Sequence, residues 1–440
     1  MSRQEADCLI NGGLVLTMDE ANTIYDSGSV AVKDSRIIAL GNKKDIDKNY
    51  TATNKIEAKD HIVMPGLINT HTHIPMTLFR GLADDLNLLG FLERLFPLES
   101  AILTRERVEL GALLGITEMV QGGTTCCMDM YWHPEMTAAV AKKIGFRLVA
   151  GTVFVDFPGF DGLQTLTERS EHAEWFINEY ADDPLITPGV FPLGEHLMTL
   201  SEIEHTLDLS SKYDCPVQIH AAETNYGVQE IEKRLGSRPI EILGSMGLLS
   251  RRLVIAHGVH LSAREIELLA ETDTSISHCL ISNLKLVDGI APVKALTEAG
   301  VNVTLGTDGP SSSNDLDLWK VIRTAAIVHK TINDDAGLNS AREMIKMATL
   351  NGARALNMDD EIGSLEVGKK ADLILIDTRK PHLTPMYDPY SILVYAAGRE
   401  DVDSVMVNGQ WVMKHREMTA VDPFEIMAEV NSAARSFSVA

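Results

Sequence analysis

Two histidines two residues apart, His71 and His73, close the apolar run "MPGLINTHTHI". In an extended strand, residues i and i+2 face the same side, so the two imidazoles can reach one point. The pair alone says little, because 14 histidines in 440 residues produce about 0.4 such spacings by chance. Its meaning comes from what ends the later apolar runs. His220 ends "PVQIH" and Glu223 follows three residues on; His257 ends "LVIAH"; Asp308 ends "VTLGTD". Three imidazoles and a carboxylate suit one divalent metal per chain, with zinc the first choice and iron or manganese the alternatives. His71, His73, His220 and Asp308 are the expected ligands, leaving a position for water. Water held by such a metal ionises near neutral pH and becomes a nucleophile. Glu223 is then placed to take its proton and deliver it to a departing nitrogen. His257 would hydrogen-bond the attacking oxygen or polarise the reacting ring, and Asp308 would orient the water as well as bind the metal.

Each of these residues alone has a plainer reading as a satisfied or solvated side chain. Their joint position at the ends of separate strands, in chain order, favours a site. His133, His172, His205, His329 and His382 fall in helical or loop patterns and read as surface residues. His260 reads as structural, and His196 fits either role.

The elements that must position these groups alternate. Between about residues 61 and 364 there are eight apolar, strand-like runs, beginning with "HIVMPGLINTHTH" and ending with "VNVTLGTDG". Amphipathic segments such as "REIELLAET" separate them. Near-continuous apolar strands alternating with helices imply a parallel sheet covered by helices. Eight such units imply an α/β protein, a (β/α)8 TIM barrel whose site lies at the C-terminal strand ends. "DDLNLLGFLERLFPLES" (84–100) reads as an inserted helix and a lid over that face. Residues 1–60 and 365–440 are β-rich, with Asn408-Gly409 as a hairpin turn. They read as one small β-sandwich domain made from both termini.

Composition narrows the partners. The chain is 45% apolar and 23% charged, with 39 basic and 62 acidic residues and a formal charge of −23. So acidic a protein disfavours nucleic acid and anionic membrane surfaces. No apolar run reaches the roughly 20 residues that span a bilayer, and the N-terminus lacks a secretion-signal layout. The cysteines Cys8, Cys126, Cys127, Cys215 and Cys279 show no CxxC spacing, so the expectation is a reduced, cytoplasmic enzyme. Its partners would be a small heterocyclic substrate and water, with a homo-oligomer left open.

Several motifs carry a resemblance. "PGLINTHTHIPMTLFRGLADD", "GGTT", "IHAAET", "IAHGVHL", "LGTDG" and the C-terminal "IGSLEVGKKADLILID" resemble the metal-dependent amidohydrolase superfamily. The similar branch holds the 5-methylthioadenosine/S-adenosylhomocysteine deaminases and the triazine hydrolases. The resemblance implies the barrel with a terminal β-sandwich, the four ligands named above, and Glu223 and His257 as proton shuttle and active-site histidine. It also implies that Glu99, in "FPLE", binds ribose hydroxyls.

The expected reaction is hydrolytic deamination of an amino-substituted N-heterocycle of the adenosine type. Loss of chloride or alkylamine from a triazine, or deamination of a guanine-, pterin- or cytosine-type base, is the alternative. The departures from the family pattern concern substrate. The fourth strand of the deaminases ends Gly-Pro-His-x-Pro-Tyr, whereas here it reads "FPLGEHLMTL", with Glu195 at the purine-contacting position. A carboxylate there only accepts hydrogen bonds and suits a ring presenting N–H donors. Glu195 could instead bridge a second metal, the one route to a two-metal amidase, since that strand lacks the bridging lysine. The arginines that would receive a homocysteine carboxylate are not evident in "GTVFVDFPGFDGLQT", and Phe91 stands where a tryptophan is expected. A smaller purine nucleoside, a free heterocycle and a triazine all stay open.

Overall fold

The computed structural model describes residues 3–194 and 197–437. Eight parallel strands run in sequence order around a barrel: β1 Leu67–Thr72, β2 Thr124–Asp129, β3 Arg147–Phe154, β4 Ile186–Pro192, β5 Val217–Ala221, β6 Leu253–His257, β7 Ser275–His278 and β8 Val303–Leu305. Helices connect them, as the alternation of patterns requires. The barrel closes where Thr70 of β1 donates its hydroxyl to the Leu305 carbonyl of β8 at 3.0 Å. The same hydroxyl meets Ser277 of β7 at 2.7 Å and Thr304 of β8. Buried hydroxyls thus satisfy one another in the barrel's interior.

A separate nine-stranded mixed sheet comes from both termini. Residues 61–65 belong to it: they pair in parallel with 4–16 and antiparallel with 373–377. The run expected as a single strand is therefore two strands in different sheets, divided at Gly66. A Cβ on Gly66 would lie 2.1 Å from Thr125 Oγ1, so only glycine lets the chain pass there. The Asn408-Gly409 turn forms as expected, with φ of 48° and 75° between strands 402–407 and 410–414, the twist a two-residue hairpin needs. Arg147, on β3, joins the two sheets. Its Nε and Nη2 donate to Asp372 at 2.7 and 3.1 Å, with the pair almost fully buried.

The expected inserted helix forms as α1, Leu88–Ile102, capped by Asn87, whose side chain accepts from Gly90 N at 3.0 Å. It buries Phe91, Leu95, Leu98 and Glu99. All five cysteines are free and buried, and Cys126 and Cys127 pack as small apolar residues. Among the described residues no helix is long and apolar enough to cross a membrane.

His329 corrects the surface reading. Helix Leu318–Ile332 lays Ile322, Ala325, Ala326 and His329 on one buried stripe. His329 Nε2 lies 2.9 Å from Nε2 of His278, at the end of β7. One ring donates and the other accepts, so at least one of them must be neutral. Burial lowers His329 to about 4 and holds His278 well below its ordinary value of 6.5, helped there by the charges of His329 and His257.

Two outcomes follow. Because the folded pKa values are depressed, this pair's stability is fully present above pH 6.5 and drains as pH falls toward 4. Each ring contributes a slope of at most about 1.4 kcal/mol per pH unit. Urea unfolding at pH 7 and pH 5 should show His329→Gln losing less stability across that step than the native chain. Asp372→Ala should lower the unfolding free energy by about 3 kcal/mol, because it leaves the Arg147 guanidinium buried without its partner.

Candidate functional site

The site is built on the atoms behind each imidazole. Gln218 points into the barrel two residues before His220 on β5. Its Nε2 donates to the Thr70 carbonyl at 2.7 Å, so its Oε1 must face His71 Nδ1, 2.8 Å away. That oxygen only accepts; His71 therefore carries its proton on Nδ1 and presents a bare Nε2 inward. His73 donates Nδ1 to the Met130 carbonyl at 2.5 Å, and His220 donates Nδ1 to the Leu193 carbonyl. His257 Nδ1 lies 2.8 Å from Asn283 Oδ1. Each ring is thus fixed from behind with Nε2 directed at a common centre, the arrangement that metal-binding histidines adopt.

Asp308 completes the ring. Its Oδ2 accepts from Ser282 at 2.5 Å and from Ser312 at 2.7 Å. Its Oδ1 lies 3.3 Å from His71 Nε2 and 3.2 Å from His73 Nε2. The backbone at Asp308 has φ 63°, and at His257 φ 73°. Such left-handed positions cost non-glycine residues energy and recur where a side chain is being aimed.

The ligand atoms of His71, His73 and His220 lie within 4.8 Å of one another, as do those of His71, His257 and Asp308. A third cluster, His382 with Glu400 and Asp401, sits at the surface, where Lys380 already holds Asp401 at 2.8 Å. His71 Nε2 supplies a test of fit. It is buried, and although Asp308 is near, no hydrogen bond satisfies it; a buried nitrogen lone pair without a donor is what a cation would occupy. Burial lowers His71 to about 4 and His220 well below its usual range, keeping them in the neutral, ligating form. At Asp308 burial acts upward, but the close approach of His71 and His73 outweighs it and holds the carboxyl well below its ordinary range. His73 moves upward against its own burial, because Asp308 bonds to it.

Glu223 Oε1 stands 3.6 Å from His257 Nε2. Both line a cavity together with His73, His220 and Asp308, and the rest of its wall is largely apolar. Glu99 reaches the same cavity from α1. It is 1% exposed, and its Oε1 accepts from the Tyr131 hydroxyl at 2.5 Å. Burial pushes its carboxyl up to about 7, with the Tyr131 bond and the charge of His73 acting the other way. Every site residue expected from sequence thus meets here except Glu195, which with His196 lies outside the described residues. Sequence reading missed Gln218, Asn283, Tyr131, Ser282 and Ser312. Gln218 alone carried a local signal, an amide inside an apolar strand in step with His220. His260 is structural as expected, its Nε2 2.7 Å from the Asp288 carbonyl.

The model of the amidohydrolase family matches residues 62–412. A 5-methylthioadenosine/S-adenosylhomocysteine deaminase of Syntrophobacter fumaroxidans is 40% identical, over 99% of both chains. The crystal structure of an adenosine deaminase from Xanthomonas campestris, with bound zinc, superposes with a TM-score of 0.98 at 36% identity, covering 100% of both chains. An atrazine chlorohydrolase from Arthrobacter aurescens, complexed with zinc, shares the fold at a TM-score of 0.90 and 22% identity, covering 97% of this chain and all of its own.

Tyr131→Phe should raise the Glu99 carboxyl above about 7, since it removes a bond that favours the ionised form. Infrared titration of the carboxyl band against a Glu99→Gln background reads this directly; an unchanged midpoint would contradict the assigned contact.

Proposed function

Because this chain belongs to the amidohydrolase family, we propose that it is a metal-dependent aminohydrolase releasing the ring amino group of an adenosine-type nucleoside as ammonia. One observation carries the reading. Three imidazoles, Asp308, Glu223 and His257 converge on one apolar cavity whose wall also holds the buried Glu99. The names of the deaminases similar over nearly the whole chain support the substrate class.

His71, His73, His220 and Asp308 would hold one divalent ion. Zinc is the first choice, because imidazole nitrogens suit it and the similar adenosine deaminase was crystallised with it. Bound there, the ion supplies Lewis-acid chemistry that brings the ionisation of water near neutral pH. The remaining work falls to the chain. Glu223 accepts a proton from the attacking water as the new C–O bond forms at the amino-bearing ring carbon. It returns that proton to the amino nitrogen, the C–N bond breaks, and ammonia leaves. His257, held at Nδ1 by Asn283, donates Nε2–H to the attacking oxygen in its doubly protonated form and stabilises the charge that develops there. Asp308, with one oxygen fixed by Ser282 and Ser312, keeps the other toward the reacting water. Glu99 accepts from the ribose hydroxyls, its carboxylate steadied by Tyr131.

The test is ammonia release by zinc-loaded enzyme from adenosine, 5-methylthioadenosine, guanine and an aminotriazine, with metal analysis alongside. Release from the adenine nucleosides is expected, with Glu223→Gln lowering kcat by about 10³-fold while retaining its metal. Turnover confined to triazines, or two equivalents of metal in active enzyme, would overturn this reading.

A further inference from the structure

Glu223, which returns the proton to the amino nitrogen, stands between two spaces. Together with His220 it lines the cavity described above and also a groove beside it, which adds Tyr226, Val287, Asp288 and His260. Tyr226 and Val287 are exposed, so the groove connects Glu223 with the solvent.

Asp288 is the group in that groove without a partner. It is 7% exposed, and among the described residues its Oδ2 is buried with no hydrogen bond. Leaving a buried carboxyl oxygen without a donor is costly, and a ligand that brings N–H donors or positive charge removes the cost. The backbone fixes the side chain where it is. The Asp288 amide donates to the Asn283 carbonyl at 2.9 Å, and its carbonyl accepts from His260 Nε2 at 2.7 Å. Val287, directly before it, takes φ 63°, a left-handed position unfavourable for a β-branched residue. An apolar side chain therefore stands in solvent while the next carboxyl is turned inward, the reverse of what burial alone would select. Burial and the nearby charge of Glu223 push the Asp288 carboxyl up to about 7. Near neutral pH both of its forms are populated, one able to give a proton and the other to pair with a cation.

Resting on the function proposed above, we infer that Asp288 is a binding site for the departing ammonia, which it receives in the groove and passes to solvent as ammonium. The nitrogen leaves at Glu223, and Glu223 lines the groove as well as the cavity. In its neutral form the Asp288 carboxyl breaks its O–H bond as the ammonia nitrogen forms a fourth N–H bond. Ammonium is then left beside a carboxylate, and it supplies both the donors and the charge that Oδ2 lacks. Once ammonium departs, the carboxylate recovers one proton from the solvent, so each turnover consumes one solvent proton and restores the group.

The experiment follows the ring absorbance of 5-methylthioadenosine during turnover by zinc-loaded enzyme. Ammonium chloride or tetramethylammonium chloride is added at equal ionic strength. Ammonium should inhibit about tenfold more strongly than tetramethylammonium, which carries the same charge but no N–H donor. Asp288→Asn, with zinc retained, should raise the inhibition constant of ammonium about tenfold. Glu230→Gln removes an exposed charge from the same groove, one already paired with Lys233 at 3.8 Å, and should change the constant less than about twofold. Equal inhibition by the two cations, or equal effects of the two substitutions, overturns the inference. So does a fall in kcat/KM of Asp288→Asn at an unchanged inhibition constant, which would make Asp288 a positioning residue acting through Asn283 on His257. If Asp288→Asn does not retain zinc, Asp288→Ser is measured in its place. If no adenine nucleoside turns over, the proposed function falls and takes the ammonia site with it. If they turn over and ammonium acts no differently from tetramethylammonium, only the ammonia site falls.

Discussion

An imidazole has two nitrogens, and tying one to a fixed oxygen decides what the other can do. His71, His73, His220 and His257 are all tied through Nδ1, to Gln218, Met130, Leu193 and Asn283 respectively. The consequence is a cluster of buried Nε2 atoms facing one another, which is unfavourable unless something positive sits among them. Asp308 supplies negative charge to that centre, and burial keeps His71 and His220 neutral. The rest of the site can be understood as what holds those rings still.

The fold meets that demand by making the anchors part of the barrel wall. Gln218 belongs to the same strand as His220, Met130 follows the second strand directly, and Leu193 follows the fourth. The rings of His71, His73 and His220 cannot turn without disturbing a strand or its end, and parallel strands buried on both faces do not shift independently; His257 is held instead by Asn283 on the helix Leu280–Lys285. The price appears as left-handed backbone at His257 and Asp308, which the surrounding packing and hydrogen bonds must offset. The terminal sheet supports the barrel from outside, through the buried Arg147–Asp372 pair.

Around this polar centre the cavity is apolar, and the contrast governs its electrostatics. With little water to screen it, the Glu99 carboxyl is pushed up to about 7, while Asp308, equally buried but set against two imidazoles, goes the other way. Two carboxyls in one cavity thus have opposite tendencies, set by neighbours rather than residue type. The chain carries a charge of −23, which suits neutral ligands better than anionic ones.

Much of this was legible in the residues. The alternation of apolar runs and amphipathic segments specified eight strands and their helices, because burial on both faces leaves little freedom in composition. Polar residues ending those runs, His71, His73, His220, Glu223, His257 and Asp308, stood out for the same reason. What local pattern could not supply was partnership across the barrel. Asn283 is 26 residues from His257 and Gln218 is 147 from His71, and no local period links such pairs. Gly66 divided a run that read as one strand, since the obstruction that requires glycine is Thr125, on another strand. His329 read as a surface residue because the partner that buries it, His278, lies 51 residues away. The sequence by itself determined which groups would end the strands. Only the tertiary structure decided which nitrogen each ring presents, because that depends on the oxygen behind it.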